Sequence, residues 1–492
     1  MANDNPRVKV DAAVLGDAGE YETTLLSRID RAWRGPRFAN YLLIALAGIL
    51  IIPGYQSVRA IQKTEKSAIR SDGIRRATAL GRWMADAEAL TLVANAPSVE
   101  AAGRGNNPYG TGHWFPTPPF VLMCLVPLWK IGPVAAAVVW AALKIAGVIG
   151  VLWLLLRSIG PPRSVVPTGV LAMALAFATR ALVSDLQHAN VNTFVFIWLG
   201  LTWWAWVHRR DRLAGLLLAL AIVTKVTPAL ALVYFAYKRA WRLCTFATIG
   251  LVIVVLIAPG LYIGFGKNID LLGDWFNMLV RPFALEGWAE LSLPNQSLWG
   301  TVLRQLDHAG WIAVEHMPLT QALQVGQEEM ARPATAAGRL LRPALSLLVV
   351  AILAWSCRRR LTNRHDVRGA LEFALILLGM MLLSERTWKH HATTLPFVYL
   401  AVWFALTQLA WGRVLRGVFV ALLAAQWFML VASGEGVFGE RLADRMLDDG
   451  IFCWGLVLAA LQIVAMLAWI NRHTPSAGTA SQVSKDLGAT AL

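Results

Sequence analysis

Residues 243–265 read LCTFATIGLVIVVLIAPGLYIGF, a run of 23 residues without a charged side chain. A transmembrane helix needs about 20 predominantly apolar residues to cross the hydrocarbon core of a bilayer. A basic cluster of Lys238, Arg239 and Arg242 directly precedes the run. The stretch therefore predicts a membrane-spanning helix with one end at a charged membrane surface.

The rest of the chain has the same character. Of its 492 residues, 57% are hydrophobic and 15% are charged, whereas soluble domains carry about 25% charged residues. This composition excludes a soluble enzyme, a disordered chain and a nucleic-acid-binding domain. The apolar runs are continuous and do not alternate, which also excludes an outer-membrane barrel.

Thirteen apolar segments can be recognised, several of them too short to span alone. They are 39–55, 117–131, 134–156, 165–183, 193–207, 213–224, 227–236, 243–265, 340–357, 367–384, 392–411, 414–432 and 450–470. We therefore predict an all-α transmembrane bundle of about 11–13 membrane segments over 39–470. A cytoplasmic segment, 1–38, precedes it, and a disordered tail, 471–492, follows it.

The net charge of +15 follows from 45 basic and 30 acidic residues. The basic residues cluster between apolar segments, which the positive-inside rule explains without a nucleic-acid partner. If these clusters are cytoplasmic, the long loops 56–116 and 266–339 lie outside. Segment 213–236 must then enter and return on one side, with a break at Lys225 and Pro228. Segment 117–131 then has the wrong parity for a simple span. Either this segment is re-entrant or one basic cluster lies outside, and the charge pattern does not distinguish the two.

Two polar runs follow apolar segments and predict a site. Arg386, His390 and His391 belong to a run, 384–391, that can bind a phosphate, or that forms a solvated turn. Asn190 and Asn192 belong to the run 184–192, where amides can bind sugar hydroxyls or cap helices.

Lys225 lies within an apolar run and needs a partner. A lipid-linked phosphate and Asp185 are the candidates. In the second long loop, Asn295 belongs to a polar cap in front of a short interfacial helix ending near Leu306.

The first long loop supplies the acidic candidates. Asp72 and Asp86, with Glu88 nearby, lie in a stretch of helical character, and one carboxylate can deprotonate an acceptor hydroxyl. The sequence has no GxGxxG, no P-loop and no His/Cys metal spacing, so we expect no nucleotide site, no cofactor and no metal. A sugar donor would then be lipid-linked.

These motifs together resemble those of glycosyltransferase family 87, the DUF2029 group of integral membrane GT-C transferases, over roughly 39–411. The family's first-loop signature matches Gly105, Asn107, Pro108, Tyr109, Pro118 and Pro119. Its later motifs match, in order, Ala189, Asn190 and Asn192; Lys225 and Pro228; Asn295, Ser297 and Leu298; and Thr387, Trp388 and His390.

The resemblance implies a GT-C bundle in the inner membrane and transfer of mannose or arabinofuranose on its outer side. The donor would be a polyprenyl-phosphate sugar and the acceptor a glycolipid or polysaccharide. It also implies an acidic base in the first outer loop and His390 near the donor phosphate. The family places an Asp shortly before an aromatic residue, and alignment on Trp83 puts Ala79 there. Asp72, or else Asp86, would replace it.

Two alternatives stay open at this point. A transporter or flippase of lipid-linked or anionic substrates would use Lys225 and Arg180 as an internal anion path. Such a protein needs polar residues at the midplane, and often inverted repeats, neither of which the sequence shows. The missing Asp keeps a catalytically inactive family member as the second alternative.

Overall fold

The computed structural model describes residues 36–66, 79–103, 106–110, 115–160, 166–318, 329–361 and 363–473. Within these ranges the protein is a helical bundle with one small sheet. Seven helices are long and apolar enough to cross a bilayer, which makes this a multi-pass membrane protein. They are Asn40–Gln62, Pro133–Leu155, Thr168–Gln187, Trp241–Ile263, Ala336–Ser356, Arg413–Ala432 and Ile451–His473.

The first half of the chain forms the helices α1 to α10. They are α1 Pro36–Lys66, α2 Ala79–Asn95, α3 Pro119–Lys130, α4 Pro133–Leu155, α5 Thr168–Gln187, α6 Asn192–Val207, α7 Asp211–Thr224, α8 Ala229–Tyr237, α9 Trp241–Val252 and α10 Ala258–Ile263. A π-helical turn, Ile253–Ile257, joins α9 to α10, so that the three form one continuous helix, Trp241–Ile263.

The second half forms α11 to α21. They are α11 Phe265–Trp275, α12 Arg281–Ala284, α13 Leu298–His308, α14 Ala336–Arg339, α15 Leu341–Ser356, α16 Val367–Leu382, α17 Leu395–Gln408, α18 Arg413–Trp427, α19 Glu435–Phe438, α20 Glu440–Asp448 and α21 Ile451–His473. Two further π-helical turns, Phe276–Val280 and Phe428–Ala432, follow α11 and α18. Each of the thirteen predicted apolar segments coincides with a helix.

Helices begin where the sequence supplies a start signal. Pro119 and Pro133 occupy the first positions of α3 and α4, where a missing N–H costs nothing. Ser297 caps α13, because its hydroxyl accepts a hydrogen bond from the Gly300 N–H at 3.1 Å. The predicted polar cap in front of a short helix is therefore confirmed.

The predicted break in segment 213–236 is also confirmed. α7 ends at Thr224, Lys225 is extended with φ −158° and ψ 135°, and Pro228 precedes α8. α7 packs closely on α9 at Gly215, where a Cβ would lie 2.4 Å from the carbonyl oxygen of Leu243. This contact holds α7, the helix that directly precedes Lys225.

The helix at the centre of the bundle is α16. Every residue from Arg368 to Leu382 is buried, so this helix has no solvent or lipid face. α17 follows it and is buried over most of its length. The connection between them, 383–394, is therefore anchored at both ends on rigid, buried helices.

The long loops carry structure of their own. The first contains α2, and the second contains α11 to α14 and a sheet of β1 Ala289–Glu290, β2 Val314–His316 and β3 Met330–Pro333. β3 pairs antiparallel with both other strands, in the order β1-β3-β2. α21 runs to His473, three residues beyond the predicted boundary at 470. Most of the predicted terminal segments, 1–38 and 471–492, lies outside the described residues.

Candidate functional site

A cavity of about 590 Å³ lies where residues 383–391, the first part of the connection between α16 and α17, meet the break at Lys225. Its lining combines polar and apolar side chains, and it includes one carboxylate, Glu385, which pairs with Arg342. The basic and amide residues are Lys225, Arg386, His390, His391, Asn190 and Asn192. The apolar residues include Val226, Leu230, Leu279, Val280, Phe283 and Ala284. Such a cavity suits a ligand with an anionic group and a hydrocarbon part.

The second long loop fixes the shape of the 383–391 connection. The Asn295 amide oxygen accepts hydrogen bonds from the Thr387 N–H at 3.0 Å and the Ser297 N–H at 3.1 Å. The Asn295 amide nitrogen donates to the Glu290 carbonyl oxygen at 2.8 Å. Asn295 is fully buried and is not among the residues that line the cavity. Its contacts support the site from behind.

Arg386 is the cation with the least complete hydrogen bonding in this wall. Its Nε lies 3.2 Å from Glu290 Oε2, and its guanidinium lies 4.6 Å from the centre of the Phe283 ring. Within the described ranges, Arg386 Nε and Nη2 are buried without a hydrogen-bond partner. Burial lowers the pKa of Arg386, and Glu290 and Glu385 oppose that shift. Unsatisfied buried donors are costly, so an anion in the cavity would stabilise this side chain.

Lys225 lies in the connection between α7 and α8. Its Nζ donates to the Asn192 amide oxygen at 3.0 Å, and Asp185 lies behind that amide, 3.0 Å from Asn192 Nδ2. Burial lowers the pKa of Lys225 to about 7, although the Asp185 carboxylate favours the charged form. Lys225 is therefore only partly charged near neutral pH, and a bound anion would favour its charged form.

The histidines form an aromatic wall. His390 Nε2 lies 3.3 Å from Asn190 Nδ2, and its ring stacks on His188 with centroids 4.9 Å apart. Trp388 meets His390 edge-on at 5.4 Å. Burial lowers the pKa of His390 to about 3. At neutral pH this ring is uncharged and can donate or accept a hydrogen bond without adding charge.

Of the two acidic candidates, Asp86 lies among the described residues and Asp72 does not. Asp86 is buried on α2, one turn beyond Trp83, which lines the cavity, while Asp86 itself does not. Burial and the nearby Asp86 carboxylate raise the pKa of Tyr109 well above its usual value. Asp72 lies outside the described residues, so its role stays a prediction.

Some residues at the site were missed by sequence reasoning. Lys144, which pairs with Asp185, carried a visible signal, since it is a charge within the apolar run 134–156. Glu290 and Phe283 carried no signal, because they lie in the second long loop, far from 383–391 in sequence. Among the described residues, no three His, Cys, Asp or Glu side chains are placed to hold a metal ion together.

Comparison with known proteins extends this description. The chain is 28% identical over 301 residues to a polyprenol-phosphate-mannose-dependent alpha-(1-2)-phosphatidylinositol pentamannoside mannosyltransferase of Mycobacterium tuberculosis (strain CDC 1551 / Oshkosh). The alignment covers 59% of this chain and 58% of that relative. A crystal structure of ArnT from Cupriavidus metallidurans bound to undecaprenyl phosphate aligns with a TM-score of 0.41 and 14% identity, covering 88% of this chain and 77% of ArnT.

The model of glycosyltransferase family 87 matches residues 115–385, which is more than half of the chain but narrower than the predicted 39–411. The match includes Asn190, Asn192, Lys225 and Asn295, and it ends one residue before Arg386. The chain belongs to glycosyltransferase family 87.

Proposed function

We propose that this membrane glycosyltransferase takes its sugar from a polyprenyl-phosphate donor. The observation that carries the proposal is the Arg386 guanidinium, whose Nε and Nη2 have no hydrogen-bond partner among the described residues, in a cavity that also has a large apolar lining. A lipid-linked phosphate has both parts, an anion for Arg386 and Lys225 and a hydrocarbon chain for Leu279, Val280 and Phe283. The mycobacterial relative is a polyprenol-phosphate-mannose-dependent enzyme by name, which supports this class of donor.

In the proposed reaction, the bond between the sugar's anomeric carbon and the phosphate oxygen breaks, and polyprenyl phosphate leaves. The acceptor oxygen forms the new bond from the opposite face, with inversion. Charge develops on the leaving phosphate, so fixed donors placed there stabilise the transition state most. Lys225 and Arg386 supply that positive charge. His390 and His391, whose pKa values burial lowers, supply hydrogen bonds as neutral rings.

A carboxylate completes the reaction by taking the proton of the acceptor hydroxyl. Asp72 and Asp86 are the candidates, and each would become protonated as the acceptor oxygen attacks. Asn190 and Asn192 would orient the sugar through their amides. The sugar is mannose- or arabinose-like, and the acceptor is a glycolipid or polysaccharide. The inner membrane is the proposed location, with the site facing outward.

The identity of the base is tested by transfer assays in nanodiscs with polyprenyl-phosphate mannose and polyprenyl-phosphate arabinofuranose. Acceptors come from a membrane lipid extract. We expect Asp72→Asn or Asp86→Asn to lower the rate by about 10²–10⁴, as loss of a general base does. Glu88→Gln is the matched control, because Glu88 is exposed on the same helix as Asp86. Full activity in both Asp variants would remove these carboxylates from the mechanism, and no turnover by wild type would favour an inactive member.

The orientation of the site is tested by cysteine labelling in a variant without native cysteines. Trp311 is 81% exposed in the second long loop, and Arg210 is exposed in a basic cluster. We expect a membrane-impermeant maleimide to label Trp311→Cys in intact spheroplasts and Arg210→Cys after lysis alone. The reverse pattern would place the proposed site on the cytoplasmic side.

A further inference from the structure

A second buried lysine lies behind the cavity and takes no part in the reaction proposed above. Lys144, on α4, is fully buried, and its Nζ lies 2.7 Å from Asp185 Oδ2 and 3.1 Å from the Asp185 carbonyl oxygen. Its ammonium lies 5.7 Å from the centre of the Trp140 ring. A charge this deep in an apolar helix is expensive unless it is paired.

Asp185 connects this lysine to the cavity. Its Oδ1 accepts a hydrogen bond from Asn192 Nδ2 at 3.0 Å, and its Oδ2 accepts one from the Thr193 hydroxyl at 2.5 Å. Asn192 Oδ1 in turn accepts from Lys225 Nζ at 3.0 Å. The Asn192 carbonyl oxygen is held by the Thr393 hydroxyl at 2.7 Å. One rigid amide therefore separates the carboxylate from the cation in the cavity wall.

The charges around the cavity do not cancel. Lys144 and Lys225 share one carboxylate, Asp185, which leaves one positive charge over when both lysines are protonated. The neighbouring group is balanced, since Arg342 pairs with Glu385 and Arg386 with Glu290. Among the described residues that line or support the cavity, the surplus charge therefore belongs to Lys225, which faces the cavity.

We propose that Lys144 is a positioning residue that neutralises Asp185 and so leaves the charge of Lys225 free for an anionic phosphate. This role rests on the proposed polyprenyl-phosphate donor and assigns a function to a residue that touches no ligand. Without Lys144, Lys225 becomes the sole cationic partner of Asp185 among the described residues. The carboxylate then competes with the phosphate for the same ammonium.

The charge reading makes a prediction that a structural reading does not. Loss of the Lys144 charge alone should weaken phosphate binding, whereas loss of both Lys144 and Asp185 charges should restore it. A pair that merely holds α4 against α5 would act through the shape of the cavity, so its loss would weaken the binding of undecaprenol and of undecaprenyl phosphate alike. Lys144→Gln separates the two readings further, since its amide can still donate to Asp185 without carrying charge.

The experiment measures the affinity of undecaprenyl phosphate, with uncharged undecaprenol as reference, for the full chain in nanodiscs. We expect Lys144→Met and Lys144→Gln to raise Kd for the phosphate by about tenfold, the scale of a unit charge about 12 Å away at an effective dielectric near 20. Lys144→Met with Asp185→Asn should return to within about threefold of wild type. Undecaprenol binding should not change in any variant.

Lys238→Met is the matched control, because Lys238 is also a buried lysine in an ion pair, with Glu372. Glu372 lies roughly 16 Å along α16 from Leu383, by a rise of 1.5 Å per residue, so Kd for the phosphate should stay at its wild-type value. Wild-type affinity in Lys144→Gln, or a double variant weaker than the single one, would overturn the role of Lys144. Equal wild-type affinity for the phosphate and for undecaprenol would overturn the proposed donor itself.

Discussion

The two ends of α16 both bury charged side chains, but they satisfy those charges to different degrees. Near its N-terminal end, Lys238 lies 2.6 Å from Glu372 and donates to the carbonyl oxygens of Cys357 and Arg359. An ammonium has three protons, so Lys238 has an acceptor for each. Beyond the C-terminal end, Lys225 has one acceptor among the described residues, the amide oxygen of Asn192.

The difference separates structure from binding. A buried charge destabilises the fold unless its partners replace the lost hydration. The Lys238 ammonium is satisfied internally, and the Tyr234 hydroxyl donates to Glu372 at 3.2 Å, although Glu372 Oε1 accepts no hydrogen bond among the described residues. Lys225 and Arg386 are incompletely satisfied and face a cavity. We infer that the first cluster stabilises the bundle and that the second retains binding capacity for an anion.

The largest expected effect is on stability, at the N-terminal end of α16, where Lys238 has an acceptor for each of its protons. Lys238→Met leaves Glu372 buried without its main partner, which costs about 3–5 kcal/mol in the free energy of unfolding. SDS titration in mixed micelles measures this loss, while KM for the donor should not change. The double variant with Glu372→Leu should recover most of the stability, because it removes both charges. An unchanged unfolding midpoint in Lys238→Met would break the comparison from this side.

The next effect is on catalysis, beyond the C-terminal end of α16, where Lys225 faces the cavity. Lys225→Met removes a donor aimed at the leaving phosphate, and kcat/KM should fall by about 10²–10³, the cost of losing one such donor. The unfolding midpoint should stay close to wild type, since Lys225 makes one hydrogen bond within the described protein. A variant that unfolds as easily as Lys238→Met and keeps its donor KM would make Lys225 a structural residue.

The smallest effect is a pH dependence that sharpens the comparison. Because the pKa of Lys225 is lowered to about 7, its cation is present below that pH and is lost as the pH rises. The phosphodiester donor keeps its single charge over this range. Kd for the donor should therefore rise about fivefold between pH 7 and pH 8. Lys225→Arg should remove this dependence, since arginine stays charged; a slope retained in that variant would assign the titration to another group.

His390 provides the internal reference for that profile. With its pKa lowered to about 3, its charge does not change between pH 5 and pH 9. Any limb of the profile near the usual histidine pKa of about 6.5 would therefore come from a group other than His390. Lys225 and His390 both line the cavity, and of the two only Lys225 changes its charge between pH 5 and pH 9.

Much of the fold could be predicted from the sequence, because in a lipid bilayer the hydrophobicity of a segment indicates its structure independently of the other segments. Each apolar run must satisfy its own backbone hydrogen bonds as a helix, whatever its neighbours are. Prolines and polar residues then mark the ends, as at Pro119, Pro133 and the Lys225 break. Register, crossing and depth were not available from these signals. α16 is buried on all sides, whereas the similarly apolar α15 is largely exposed, and composition alone does not distinguish them.

The site was predicted in part for the same reason. Polar residues at the ends of apolar runs are conspicuous, so Lys225, Arg386, His390 and His391 were selected from sequence, and the fold brings them to one cavity. Asn295 was selected with them, yet its contacts place it behind the connection. Its amide has the same chemistry in either position, and its place depends on how the second long loop packs.

By itself, the sequence determined that the chain is a helical membrane protein, where its helices break, and which side chains are too polar to be there by chance. Those properties depend on the free energy of transfer from water to lipid, which each segment carries alone. Tertiary structure decided which charges are compensated. Lys144, Lys225 and Lys238 are alike in sequence, each a lysine in or beside an apolar run. The partners that differ, Asp185 and Glu372, come from distant segments, because electrostatic energy depends on distances that packing sets.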